Sequence, residues 1–381
     1  MASFHGGAAG RGARASARAT LLALACGLLP GAARAVDAQL GWIGDFGAVV
    51  EGGLREGERH LGLVELALDH VFDVGTREVG VHASGQHVYG GGWSSGWVGD
   101  LQAVSNVDAD PGTHLLEAWV EVPVDESLSV RFGRYDFNGE FDVVEAGGLF
   151  LHSSQGIGAE IAQTGVAGPS IFPRTSLALR VEYAFGEDAR ARGVALDLEP
   201  ARGAGDRDAP FFEGPMVALE VERGTGPRRW KAGAWGFTHS RPRLLEPGRR
   251  EREYGAYASV EQRFGDHWVG YARVGAANER VSRLGTYLGA GLVHEGGLLA
   301  DRGDVVGLAV AHARNGDDWR RQLRRERLAP EAAETAIELT WRVPFGEHLV
   351  LQPDLQYVLD PDTDPSIDDA LVLMLRVELA F

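Results

Sequence analysis

Side chains alternate between apolar and polar along nearly the whole chain, in segments of roughly ten residues, and period two is the signature of β-strands. The last segment is the plainest. In "DDALVLMLRVELAF", Leu371, Leu373, Leu375, Val377, Leu379 and Phe381 form an unbroken apolar stripe, with Arg376 and Glu378 on the other side. A soluble sandwich would turn that stripe toward a second sheet. A membrane barrel would turn it toward lipid, its polar face toward water, and its terminal aromatic toward the interfacial girdle.

The number of such segments favours the barrel. Strands are predicted over 41–52, 59–69, 78–88, 114–122, 126–135, 176–185, 190–198, 214–223, 229–239, 253–263, 267–276, 284–294, 303–314, 333–344, 347–359 and 369–381. That is an even set of bilayer-crossing length, with short turns on one side and longer loops on the other. Beyond the N-terminus no stretch approaches the ~18 apolar residues of a membrane helix. The expected fold is all-β: a transmembrane antiparallel β-barrel of about sixteen strands.

Residues 1–35 read as a signal peptide. Arg11, Arg14 and Arg18 precede the apolar core "ATLLALACGLLPGAA", and Ala33 to Ala35 spell an A-x-A cleavage site. Residues 36–381 then form the barrel domain. The leader holds four arginines, no acid and the single cysteine, so its removal takes the net charge from −17 to −21. No disulfide or thiol metal site is possible in the remainder. Such acidity excludes nucleic acid as a partner and suits a polar, water-filled lumen.

Two connections are long, 89–113 and 136–175. The second carries the apolar patches "GLFLH" and "IFP", which need burial. An inward-folded loop would bury them and narrow the lumen.

The residues resemble the OprB-type carbohydrate-selective porins of Gram-negative outer membranes. The similarity runs through "GDLQAVSNVDA", "LLEAWVE", "LSVRFGRYDFNGEFDVVEAGGLFLHSSQGIG", "GPSIFPRTSLALRVEY", "KAGAWGFTH", "YARVGAA", "AETAIELTWRV" and the closing "LVLQPDLQYVLDPDTDPSIDDALVLMLRVELAF". Segments 190–212 and 241–252 depart from it. The resemblance implies a sixteen-stranded outer-membrane barrel, reached through the periplasm, that passes sugars by diffusion. It further implies a third loop folded inside and a C-terminal Phe381 read by the barrel-assembly machinery. Outer-membrane lipid would surround it.

A sugar pore needs donors and acceptors that replace hydration without holding the permeant. Inward positions near the long loop are the candidates. In "HLLEAWVEV" the stripe Leu116, Ala118, Val120 and Val122 is assigned to lipid, leaving Glu117, Trp119 and Glu121 inside. In "LSVRFG" Arg131 is inward, and in "SLALRVEYAF" Arg180 and Glu182. Trp119 would either stack on a pyranose ring or pack beneath the long loop. Arg134, Glu140, Asp142 and Glu145 would line the pore or pin the loop by ion pairs. Trp235, on one face with Lys231, and Arg273 complete the set. Arg376, as a solvated lumen charge, is expected to tolerate replacement by Ala.

The stretch from Asp360 to Asp369 reads as an acidic turn, with Ca²⁺ binding as its alternative. No G-x-S-x-G, H-E-x-x-H or Gly-rich βαβ loop is present, so no enzyme is expected and no cofactor is required. The alternatives to a sugar channel are a general porin for small polar solutes and a secreted all-β protein that binds or hydrolyses polysaccharide.

Overall fold

The computed structural model describes residues 35–165, 168–197, 215–299 and 303–381; apart from Ala35, the signal segment lies outside them. Sixteen strands appear. They are β1 (Asp37–Gly53), β2 (Gly57–Val74), β3 (Arg77–Tyr89), β4 (Gly112–Pro123), β5 (Leu128–Tyr135), β6 (Ser176–Ala184), β7 (Ala189–Leu196) and β8 (Met216–Thr225). Then follow β9 (Arg228–Pro242), β10 (Arg250–Phe264), β11 (Trp268–Ala277), β12 (Leu284–His294), β13 (Val305–Asn315), β14 (Ala333–Phe345), β15 (Leu349–Leu359) and β16 (Asp368–Ala380). Each pairs antiparallel with the next, and β16 returns to β1, so the sheet closes. Every predicted strand is present, with ends displaced by a few residues.

The closing register shows why the chain ends as it does. Phe46 stands opposite Leu375, and Asp45 opposite Arg376. Neighbours along a strand point to opposite faces. Phe46 and Leu375 are therefore exposed outside, while Asp45 and Arg376 are buried inside. The same split continues round the wall. Leu66, Phe132, Leu179, Leu219, Leu308, Leu339 and Leu373 are all exposed on the outer face. A continuous apolar belt on this scale is tolerated in lipid and not in water. No helix among the described residues is long and apolar enough to cross a membrane.

The face assigned to Leu116 is wrong. A bulge sets Ser84 against Glu117 but Gly85 against Leu115, so Leu116 is the extra residue. Parity flips there. Leu115 faces out, whereas Leu116 is buried inside.

Short turns close one end, as at Gly265, whose φ of +60° is left-handed and meets nothing within 4 Å. The other end carries the long connections, and both of them enter the barrel. In 136–175, Phe137, Phe141, Ile157 and Ile161 pack on Ala178, Leu196, Met216, Trp235 and Phe237 of the wall. In 90–111, Trp93, Val98 and Val104 pack on Leu61, Val88, Val358, Val372 and Met374. Each such burial contributes ~1.5–3 kcal/mol.

Wall carboxylates hold both loops. Glu334 accepts the backbone N–H of Leu101 at 2.6 Å and of Gln102 at 3.0 Å. Glu338 accepts those of Leu151 at 2.6 Å and His152 at 3.2 Å. Glu261 takes Ala146, Glu220 takes Asp142, and Glu253 takes Gly165. These amides would otherwise be buried without partners. Much of the acidity of the inner wall is thus spent on positioning loops.

Candidate functional site

The two docked loops fill much of the lumen and leave a cavity of ≈ 300 Å³ lined mainly by β1 to β5. Glu65 and Asp69 line it from β2, and His82, Ser84 and Gln86 from β3. Glu117 and Trp119 of β4 and Arg131 of β5 follow. Asn106 and Val107 of one loop and Asp136, Gly139, Glu140 and Phe172 of the other form the facing wall.

Trp119 is the centre of the strand side. Its indole N–H donates to Glu117 Oε1 at 3.1 Å. The His82 ring, from the strand on one side, lies 5.1 Å away at 18°. The Arg131 guanidinium, from the strand on the other side, lies 3.7 Å from the ring centroid. Gly133 of β5, opposite Trp119, makes this approach possible. A Cβ there would come within 2.5 Å of Trp119 Cα and 2.8 Å of its Cβ.

A row of alternating charge runs from this point round the wall. Arg131 pairs with Glu121 at 2.7 Å and with Glu140 at 3.4 Å. Arg180 donates twice to Glu140, at 2.8 and 2.7 Å, and to Ser129 Oγ at 2.8 Å. Arg192 of β7 continues the row to Glu182 at 2.6 Å and to Glu220 at 3.3 Å. Burial alone would raise the Glu140 carboxyl. The guanidiniums of Arg131 and Arg180 outweigh it and hold that carboxyl down at about 2. Asp136 lacks such a partner. Burial, and then the charge of Glu117, push it up to about 8.

Four of the expected residues therefore meet at the cavity: Glu117, Trp119, Arg131 and Glu140. Arg180 is inward but only 2% exposed, behind Glu140. Glu182 does not line the cavity either and is held by Arg192. Asp142 and Arg273 do not line the cavity. Arg273 is buried and forks onto Asp142 at 2.8 and 2.7 Å and onto Glu160 at 3.0 and 2.7 Å, pinning the loop. Trp235 is buried beneath the same loop. Arg134 was misassigned. It shares the outward parity of Phe132 and Leu177, and its guanidinium donates to the Thr175 carbonyl at the strand end.

The acidic side of the cavity was missed. Glu65 and Asp69 alternate with Leu66 and Leu68 in "VELALDH", which marks them as inward. Asn106 had no such signal, because no periodicity shows where a loop will dock. It accepts from Arg376 at 2.8 Å. At the acidic turn, Asp362 is held by Arg283 at 2.6 Å. Among the described residues no group of three or more His, Cys, Asp or Glu is arranged to hold a metal ion.

Among curated proteins none matches the chain. Solved structures share the architecture. Pseudomonas putida OprB at high pH is 18% identical, with a TM-score of 0.81 over 91% of this chain and 94% of that one. The outer-membrane channel DcaP of Acinetobacter baumannii is 12% identical, with a TM-score of 0.60 over 91% of this chain and 97% of that one. These likenesses concern the fold. The carbohydrate-selective porins of the OprB family match residues 64–381. With a closed sixteen-stranded wall, two loops docked inside it and a charged cavity between them, the chain belongs to the OprB family of carbohydrate-selective porins of the Gram-negative outer membrane and is a channel for carbohydrates.

Proposed function

We propose that sugars cross this porin through the cavity between β1 to β5 and the two docked loops, and that Glu117, Arg131 and Glu140 select them. The supporting observation is Arg131. Its side chain is 13% exposed, stacked on Trp119 and bridged between Glu121 and Glu140. A guanidinium with its carboxylates offers donors and acceptors side by side, which matches a hydroxyl's double character. Because the charges are paired, the site favours neutral polyols over ions of similar size.

In this reading residues 1–35 are cleaved on export and the barrel-assembly machinery recognises the terminal strand. Lipid surrounds the apolar belt. Glucose-sized monosaccharides are the natural permeants of a space this small. Liposome swelling tests the selectivity. Neutral hexoses should enter faster than amino acids or sugar acids of equal mass, and equal rates would indicate an unselective porin.

A further inference from the structure

The cavity has two walls of different chemistry. Around Arg131, guanidinium and carboxylates are paired, and that side suits hydroxyls. The other wall is built by β2 and β3. It contributes Glu65 and Asp69 to the lining and no arginine.

Strand register gives this second wall its shape. Ala67 stands opposite Ser84, and Ser84 opposite Glu117 on the next strand. Glu65 is opposite Gln86, and Asp69 opposite His82. Inward side chains along one strand recur every ~7 Å. Ala67 and Ser84, the smallest of these, therefore floor a niche that opens into the cavity. Glu65 and Asp69 stand on either side of it along β2, and Glu117 stands across it.

The niche is rich in acceptors. The Asp69 side chain is 47% exposed. His82 Nδ1 lies 2.8 Å from Asp69 Oδ1, and His82 Nε2 lies 3.9 Å from Glu117 Oε2. Among the described residues that ring is the only basic group within 4 Å of either carboxylate. Gln86 donates its amide N–H to Glu65, and its own side-chain carbonyl has no hydrogen-bond partner among the described residues. The Ser84 hydroxyl has none either. Gln86 and Ser84 are 4% and 3% exposed, and polar groups so buried need a partner. An ammonium group is the complement of such a wall. It brings three donors, no acceptor and a positive charge.

We propose that this niche holds the ammonium of a protonated amino sugar, while the hydroxyls of the same ring meet Arg131 and Glu140. The inference rests on the reading of the cavity as the sugar path. It makes hexosamines permeants, held more tightly than neutral hexoses of the same size.

The test is block of ion current through the folded porin in planar bilayers, at low salt and neutral pH. Glucosamine, glucose and cyclohexylammonium are the probes. Glucosamine should block at about one-tenth of the concentration that glucose requires. Cyclohexylammonium has the charge and no hydroxyls, and should block more weakly than glucosamine. Glu65→Gln combined with Asp69→Asn should bring glucosamine close to glucose. If that double variant does not fold, Ala67→Leu fills the niche, keeps every carboxylate and should abolish the preference as well. Equal block by glucosamine and glucose in the wild type overturns the proposal and leaves the sugar path standing. Block by cyclohexylammonium as strong as that by glucosamine also overturns it, since the wall would then take any cation. So does a preference for glucosamine that survives both variants. Absence of block by either sugar would overturn the sugar path, and this niche with it.

Discussion

The Arg131 guanidinium rests 3.7 Å from the centre of the Trp119 ring, and the His82 ring flanks the same indole from the opposite strand. Trp119 thus has no bare face for a sugar to stack on. It serves as the base plate that aims Arg131 at the cavity. Trp119→Ala should therefore weaken glucose block of ion current and raise cation selectivity together, as Arg131→Ala should. Planar-bilayer recording reads both. Loss of sugar block with unchanged ion selectivity would restore direct stacking.

Arg376 is not the dispensable lumen charge its position suggested. It is buried and forks onto Asp45 at 2.7 and 2.8 Å across the closing seam. Arg376→Ala would leave Asp45 buried and uncompensated, a loss of about 3–5 kcal/mol. Leu375→Arg, one residue away on the lipid face, should cost ~2–4 kcal/mol. Unfolding in urea should rank Arg376→Ala at least as damaging as Leu375→Arg.

Arg273 joins Asp142 and Glu160 of the docked loop to the wall. Arg273→Met strands two buried carboxylates and should loosen the segment 136–175. We expect larger and noisier single-channel conductance, with the barrel still resistant to detergent. Conductance equal to wild type would mean that the apolar contacts of Phe137, Phe141 and Ile161 hold the loop alone.

Asp136 gives the cavity a pH dependence. Its carboxyl, raised by burial and by Glu117, is neutral below about pH 8 and ionised above it. Raising the pH through that value adds one negative charge beside Glu117, so cation selectivity should increase between pH 7 and pH 9. Asp136→Asn should flatten that change. Glu140, held at about 2, contributes no change over this range.

Strand number, order and facing were legible because period two is a local property of the sequence. Leu371 to Leu379 and Leu177 to Phe185 needed no tertiary information. Leu116 escaped because a one-residue bulge resets parity and leaves no mark in composition. Arg134 escaped because the strand ends one residue later and the side chain turns to a carbonyl. The inner carboxylates could be placed on the inner face but not given a role. Glu334 and Glu338 look the same in sequence as Glu117, yet they bind loop amides while Glu117 faces the cavity. That distinction depends on where 90–111 and 136–175 dock, which is a long-range packing outcome.

The most direct test blocks the cavity itself. Gly139 lines it, and a Cβ at Gly139 meets nothing within 4 Å. Gly139→Trp should place an indole in the space where the sugar passes. Gly248→Trp, in the external 243–249 connection where a Cβ also meets nothing, is the control. In glucose-driven liposome swelling, Gly248→Trp should match the wild type and Gly139→Trp should fall to the rate of protein-free vesicles. Swelling by a correctly folded Gly139→Trp at the wild-type rate would contradict the assignment of this cavity as the sugar path.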